Sequence, residues 1–315
     1  MNIVITGSTG FVGRHLLSHF LKTKHNITAL VRNQLTSSDI TYYQYSLNET
    51  FDFSSMFENI DVIIHCAARV HVMKDSAVDP LAEYMEVNLK GTINLAKQAA
   101  KAGVKRFIFL SSIKVNGEST TNKDPYTAFD IPKPNDPYGL SKLEAEKQLL
   151  TLAEQTGMEV VIIRSPLVYG EGVGANFYSL MKFINKGFPL PFRAIDCNKR
   201  SLVSVYNLVD LIDKCIDHTE AVNQVFLVSD NNDLSTAEIV SLMSYVQSKN
   251  NVSLPVPIWC FKLIGKLLSK TNVVDRLTGS LQLDISHTQR TLDWHPPYSV
   301  EYGFKLAATN NRSEE

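Results

Sequence analysis

Tyr138 and Lys142 stand four residues apart in Tyr138-Gly-Leu-Ser-Lys142, inside a run of helix-forming residues that reaches about Gln155. At that spacing both side chains face one side of a helix. An ammonium beside a phenol favours the phenolate and lowers its pKa toward the working range. Such a tyrosine can exchange a proton with a carbinol or carbonyl while a hydride moves to or from a nicotinamide. Ser111 and Ser112 close the apolar run that starts at Lys105. A serine hydroxyl at a strand end can hold the same oxygen in place. The Tyr-x-x-x-Lys spacing also arises between two surface residues, so it gains meaning only beside a cofactor loop.

That loop opens the chain. Ile3-Val4-Ile5 feeds Gly7, Gly10 and Gly13, and Leu16, Leu17, Phe20 and Leu21 continue at helical spacing. Strand, tight turn and helix follow in the order of a dinucleotide fingerprint. Gly7 suits a turn with φ > 0, Gly10 admits a pyrophosphate to the backbone, and Gly13 packs helix on sheet. The helix N-terminus adds partial positive charge. The second strand, Ile27–Val31, ends in Arg32 rather than in the Asp or Glu that holds a ribose 2′-hydroxyl. With Arg14 as a second cation, that end favours NADP(H) and leaves NAD(H) possible.

The elements that must carry these residues follow as an alternation. Strands are expected at Thr41–Ser46, Asp61–Ala68, Lys105–Ser112 and Glu159–Arg164, with helices at Pro80–Ala102 and from Tyr138 to a stop at Gly157. The alternation predicts an α/β fold of Rossmann type, a doubly wound parallel sheet. Ligands in such sheets bind at the carboxyl ends of the strands. His65, ending an apolar strand, reads as a satisfied core histidine. Beyond 168 the pattern loosens, predicting a smaller, irregular α/β substrate region over 169–309. Residues 200–230 return to the first domain, and 310–315 form a disordered tail.

Composition limits the partners. A hydrophobic fraction of 44% with 20% charged residues is ordinary for a globular chain, and a net charge of −1 argues against nucleic acid. Cys66, Cys197, Cys215 and Cys260 lack metal-ligand spacing and read as reduced thiols of a cytoplasmic protein, with no metal site. The first strand starts at residue 2, leaving no room for a signal peptide, and no apolar run is long enough to span a bilayer. Lys262, Lys266 and Lys270 recur every four residues beside Trp259, Ile264, Leu267 and Leu268. Such a stripe is expected to pack on a domain core with its lysines solvated; a membrane-surface helix is the alternative.

The motifs TGSTGFVG (6–13), HCAA (65–68), VNLKGT (87–92), FLSSIKVNGE (109–118), YGLSK (138–142) and RSPLVYGEG (164–172) resemble the extended short-chain dehydrogenase/reductases. Within them the chain is similar to the NAD-dependent epimerase/dehydratase family of nucleotide-sugar enzymes. The resemblance spans nearly the whole chain and implies that Ser112, Tyr138 and Lys142 are catalytic. It implies cofactor contacts from Gly7, Thr9, Gly10, Phe11, Val12, Gly13, Arg14, Arg32, Cys66, Ala67, Ala68, Asn88, Ser165 and Leu167, besides Tyr138 and Lys142. Ser46 and Leu47 stand where relatives carry an Asp-Leu pair on adenine. Substrate contacts are implied for Arg69, Ser111, Ser112, Lys114 and Asn176, and for Arg200 and Arg276 as diphosphate arginines. Asn116 replaces the family's usual tyrosine, which could alter the sugar pocket.

Arg69-Val-His-Val-Met-Lys74, SSIKVNGE and Leu277-Thr-Gly-Ser-Leu281 look most like bacterial 4-keto-sugar reductases of surface-polysaccharide synthesis. The leading expectation is therefore NADP(H)-dependent reduction of a UDP-linked 4-keto-6-deoxy sugar at C4, by a homodimer. The alternative is a UDP-hexose or UDP-N-acetylhexosamine 4-epimerase with bound NAD, using the same residues. A cofactor-sensing protein on the same fold is a third reading, opposed by the complete Ser/Tyr/Lys set. A dehydratase is discounted because Ile113, not an acid, follows Ser112.

Overall fold

Runs of four to seven residues rich in Val, Ile and Phe, buried on both faces, build a parallel sheet. The computed structural model describes residues 1–33, 35–36, 40–70, 79–250 and 252–309, apart from the side chains at 175, 176 and 309. In chain order the first half holds β1 (Asn2–Thr6), α1 (Phe11–Phe20), β2 (Asn26–Val31), β3 (Thr41–Gln44) and β4 (Val62–His65). Next come α2 (Pro80–Tyr84), α3 (Thr92–Lys101), β5 (Arg106–Ser112), α4 (Pro137–Thr156) and β6 (Glu159–Ser165). The second half adds β7 (Leu167–Tyr169), α5 (Ala175–Asn185), β8 (Leu202–Ser204), α6 (Val205–Lys214) and β9 (Gln224–Leu227). Five helices finish it: α7 (Thr236–Val246), α8 (Ile258–Leu267), α9 (Thr271–Thr278), α10 (Ser286–Leu292) and α11 (Val300–Thr309).

The seven-stranded sheet runs β3-β2-β1-β4-β5-β6-β9, and every pair in it is parallel. Strand order reverses between β1 and β4, so a crevice opens there beyond the strands' carboxyl ends. The expected Rossmann-type doubly wound sheet is present. On one face α1 and α6 bury Leu16, Phe20, Leu208 and Ile212 against it. On the other, α3 and α4 bury Ile93, Leu95, Ala99, Leu149 and Leu152. A further core joins Tyr169, Phe177, Met243 and Phe304, from β7, α5, α7 and α11. Each fully buried side chain of this size contributes roughly 1.5–3 kcal/mol.

The sequence pattern departs from the structure at the expected helix over 80–102. A π-helical turn, Met85–Gly91, separates α2 from α3. Gly91 lies so close to Leu47 that an added Cβ would fall 2.8 Å from its carbonyl carbon. The π turn takes in one more residue than an α-helical turn, and Asn88 and Gly91 within it are buried. Gly157 stops α4 as its pattern predicts, with φ of 75°. Residues 310–315 and 71–74 of the quoted motif run lie outside the described residues. Among the described residues no helix is long and apolar enough to cross a membrane.

Candidate active site

At the crevice, Gly7 takes φ of +68°, and a Cβ on it would stand 2.7 Å from the Ala67 nitrogen. The turn after β1 therefore rests directly on the backbone after β4, where Cys66, Ala67 and Ala68 run. Gly13 is packed still closer, its missing Cβ 2.1 Å from the Gly7 carbonyl oxygen. Gly10 caps α1 without offering a side-chain acceptor, and the first turn holds no acidic residue. By contrast, Asp136, Ser204 and Ser235 cap α4, α6 and α7 with their side chains. The open donors of α1, with no Cβ at Gly10 and exposed Thr9 beside it, fit a pyrophosphate. Phe11 and Val12 turn inward against the core. Arg14 instead lies along the loop after β7, its guanidinium 3.2 Å from where a Gly172 Cβ would be.

Thr6 ties the strand ends together. Its hydroxyl lies 2.7 Å from His65 Nδ1 and accepts the Ala67 N–H at 3.2 Å. His65 Nε2 lies 2.9 Å from the Thr92 hydroxyl, and burial holds the imidazole well below its usual pKa. It is a satisfied core histidine. Enclosure pushes the Cys66 thiol to about 12, which leaves it protonated and unreactive at neutral pH.

The Ser/Tyr/Lys set converges over the end of β5. Ser112 accepts the Lys114 N–H at 3.3 Å, and its hydroxyl lies on the side of the Tyr138 phenol, whose pKa it lowers. Asp136 caps α4 by accepting the Gly139 N–H at 2.7 Å, which places Tyr138 in the first turn. Lys142, one turn further on and 1% exposed, donates to the Leu110 carbonyl at 2.9 Å. Its nitrogen also stands 4.3 Å from the centre of the Phe109 ring. Burial brings this ammonium down to about 8, opposed by Cys66 and Glu146.

The expected lowering of the Tyr138 phenol by the Lys142 ammonium is absent. Burial first, then the charge of Asp136, raises the Tyr138 phenol above its ordinary pKa, and Ser112 pulls the other way. Spacing put Lys142 on the right helix face, but its ammonium goes to the Leu110 carbonyl rather than to the phenol. The Tyr84 ring meets Tyr138 edge-on at 6.0 Å, closing that side of the site.

Several implied contacts turn out to be internal. Ser111 is 2% exposed and donates to Glu146 rather than lining the site. Glu146 pairs with Arg164 through Nε and at 2.6 Å through Nη2. Arg164 Nη1 also donates to Asn116 at 3.0 Å, and Asn116 to the Thr127 carbonyl at 2.9 Å. Asn116 thus supports the site from beneath instead of facing a sugar. Asn88, fully buried, accepts the Arg69 N–H at 2.8 Å and donates to the Arg69 carbonyl and the Ser141 hydroxyl. It pins the chain after β4 onto α4. Ser165, also buried, donates to the Ser111 carbonyl. Sequence reasoning missed Glu146 and Arg164; the signal was present in Tyr138, Lys142 and Glu146, each four residues after the last.

The remaining implied residues lie around the crevice. Arg32 is exposed at the end of β2, its carbonyl accepting from Gln44 at 3.0 Å. Ser46 is exposed and accepts from Asn48, while Leu47 packs beside the core under Gly91. Leu167 is exposed on β7. The Arg69 guanidinium lies over the Tyr84 ring, and Lys114 is paired with Asp136 and Glu118. Asn176 opens α5, its side chain outside the described residues. Arg200 and Arg276, far apart in sequence, are brought together. Arg200 donates to the carbonyls of Arg276 and Gly279, and burial plus the Arg276 charge depress its pKa. Two adjacent guanidinium groups favour an anion between them. Arg276 also lines a cleft of about 670 Å³ with Glu118, Thr121 and Lys262.

The sequence model of the NAD dependent epimerase/dehydratase family matches residues 3–229. The chain belongs to that family. A UDP-glucose 4-epimerase of Vibrio cholerae is 54% identical over 99% of this chain and 97% of its own length. The N-acetyl-alpha-D-glucosaminyl-diphospho-ditrans,octacis-undecaprenol 4-epimerase of Escherichia coli O157:H7 is 28% identical over 96% of this chain and 92% of its own. The fold is also that of the Thermotoga maritima UDP-glucose 4-epimerase solved with UDP-glucose, at TM-score 0.78 and 22% identity, covering 100% and 99% of the two chains. The Bacillus cereus UDP-glucuronic acid 4-epimerase solved with NAD matches at TM-score 0.78 and 19% identity, covering 98% and 96%.

Two expectations from sequence fall against these family members. Net reduction of a 4-keto-6-deoxy sugar is overturned by a 4-epimerase that is alike over almost the entire chain. The preference for NADP(H) falls with it, since the related structure holds NAD and a redox-neutral reaction draws on no reductant pool. Arg32 was weak support for a 2′-phosphate, because an exposed arginine at a strand end serves equally well as a solvated residue.

Proposed function

We propose that this chain is an NAD-dependent UDP-hexose 4-epimerase, interconverting UDP-glucose and its 4-epimer. The observation that carries the reading is 54% identity, over 99% of the chain, to a UDP-glucose 4-epimerase. Ser112 beside the Tyr138 phenol, together with the glycine cradle, supports it. In this reading 1–168 with 200–230 holds the cofactor and 169–309 holds the sugar nucleotide. The enzyme works in the cytoplasm as a homodimer.

NAD, when bound, would supply reversible hydride acceptance at C4 of the sugar, and the glycine turn after β1 would hold it. Tyr138 takes the proton of the 4-hydroxyl and later gives it back to the same oxygen. Ser112, beside the phenol, orients that oxygen and keeps the proton path short. Lys142, anchored on Leu110, would contribute its ammonium to holding the cofactor. Arg200 and Arg276 hold the diphosphate, so the hexose can turn over while its leash stays fixed.

The test is incubation of UDP-glucose or UDP-galactose with the protein and no added reductant, followed by separation of the two sugars. Interconversion is expected, falling on the order of 10²–10⁴-fold in Tyr138→Phe. Stoichiometric oxidation of added NADPH without interconversion would overturn the proposal.

A further inference from the structure

The helix α8 is built the wrong way round for a core helix. Its buried residue is Gly265, whose missing Cβ would lie 2.6 Å from Val274 of α9. Phe261 stacks at 6.0 Å on Phe192. These contacts fix the helix in place and leave Trp259 65% exposed, Leu267 74% exposed, and Leu263, Ile264, Leu268 and Val273 at least half exposed. This overturns the expectation that the stripe packs on a core. Exposed Lys262, Lys266 and Lys270 run alongside, and residues 250–274 contain these three lysines and no acidic residue.

We propose that α8 docks on an anionic lipid bilayer, lying in the plane of the surface. Trp259, Leu263 and Leu267 recur one helical turn apart and would enter the headgroup boundary. The lysine stems would extend along the apolar face to place their ammonium groups among lipid phosphates. Trp is at home at such a boundary. The helix is too short to span the bilayer, so it rests on the surface. Charge decides between lipid and a second copy of the chain. A twofold contact through this face would bring six lysines together with no acid of the same segment to neutralise them. Ile258 and Lys262 also line the cleft of Arg276, so docking sets that cleft beside the headgroups.

The chain carries its own probe. Of its two tryptophans, Trp294 is buried and donates to Asp210 at 2.7 Å, so a vesicle-induced change in emission reports Trp259. The full-length protein is floated with vesicles of phosphatidylglycerol and phosphatidylcholine, and with phosphatidylcholine alone. Expected are flotation with the anionic vesicles only, a blue shift in emission, and loss of binding in high salt. Leu263→Asp/Leu267→Asp and the surface pair Lys266→Glu/Lys270→Glu should each weaken binding on the order of tenfold or more, with turnover of soluble UDP-sugar unchanged. No flotation, or equal flotation with neutral vesicles, would overturn the proposal. Self-association abolished by Leu267→Asp would overturn it in favour of a second copy.

Discussion

Lys142 is an ammonium enclosed by protein, with the Leu110 carbonyl as its hydrogen-bond acceptor and the Phe109 ring as its floor. The site keeps it there although burial disfavours the charge. Its folded pKa of about 8 lies below the unfolded value of 10.5, so between those values the unfolded chain binds the extra proton. Stability from this group therefore rises with pH over that window, and the cost is full below about pH 8. Lys142→Met should abolish epimerisation yet stabilise the cofactor-free protein near neutrality, by up to about 3 kcal/mol. The gain should shrink as pH rises from about 8 to 10.5, a trend that denaturant melts at stepped pH would read. A gain independent of pH would show that packing, not charge, sets it. At this scale the sequence was informative about which residues gather: Ser112, Tyr138 and Lys142 do meet. It was not informative about which acceptor each finds, because Leu110 and Phe109 contribute through a backbone carbonyl and a ring face that no spacing encodes.

The helix α4 carries Tyr138 and Lys142, the two side chains proposed to act on the substrate, and the network beneath it fixes its depth and rotation. Glu146 receives Ser111 from β5 and Arg164 from β6, joining the helix to both strands within the core. A buried pair loses heavily when only one partner goes, because the other is left charged without compensation. Glu146→Ala should therefore cost about 3–5 kcal/mol. Glu146→Leu/Arg164→Met should recover most of that stability while activity stays low, since hydrophobic packing cannot reproduce the register of α4. Comparing the melts and the turnover of the two variants checks this; equal stability losses would mean the pair is not coupled. The strands and α4 were legible because alternation and glycine stops are local signals. The π turn at Met85–Gly91 was not, since no local pattern marks it and Leu47, which lies against Gly91, is distant in sequence. Ser111 and Ser112 also separate only once the strand's pleat is known: one points into the core and its neighbour into the crevice.

Across the whole molecule the proposed function assigns the two ligands to different parts of the chain. The glycine cradle belongs to β1 and α1, whereas Arg276 belongs to α9, more than two hundred residues later, and meets Arg200 before β8. That meeting was invisible to any local pattern, because isolated arginines read equally well as surface charges. A ligand held by the folded protein alone stabilises it by mass action, about 2.7 kcal/mol at a hundred times its Kd. NAD and UDP should each raise the melting temperature, by a few degrees at such excess. Arg276→Ala should remove most of the UDP shift and leave the NAD shift intact, because its side chain makes no part of the glycine cradle. Arg200 is less suited to this test, since its guanidinium also ties down the carbonyls of Arg276 and Gly279. Thermal melts with each ligand alone and with both decide the matter. Loss of the NAD shift in Arg276→Ala would show that the two halves bind as one unit, and an undiminished UDP shift would remove Arg276 from the diphosphate site.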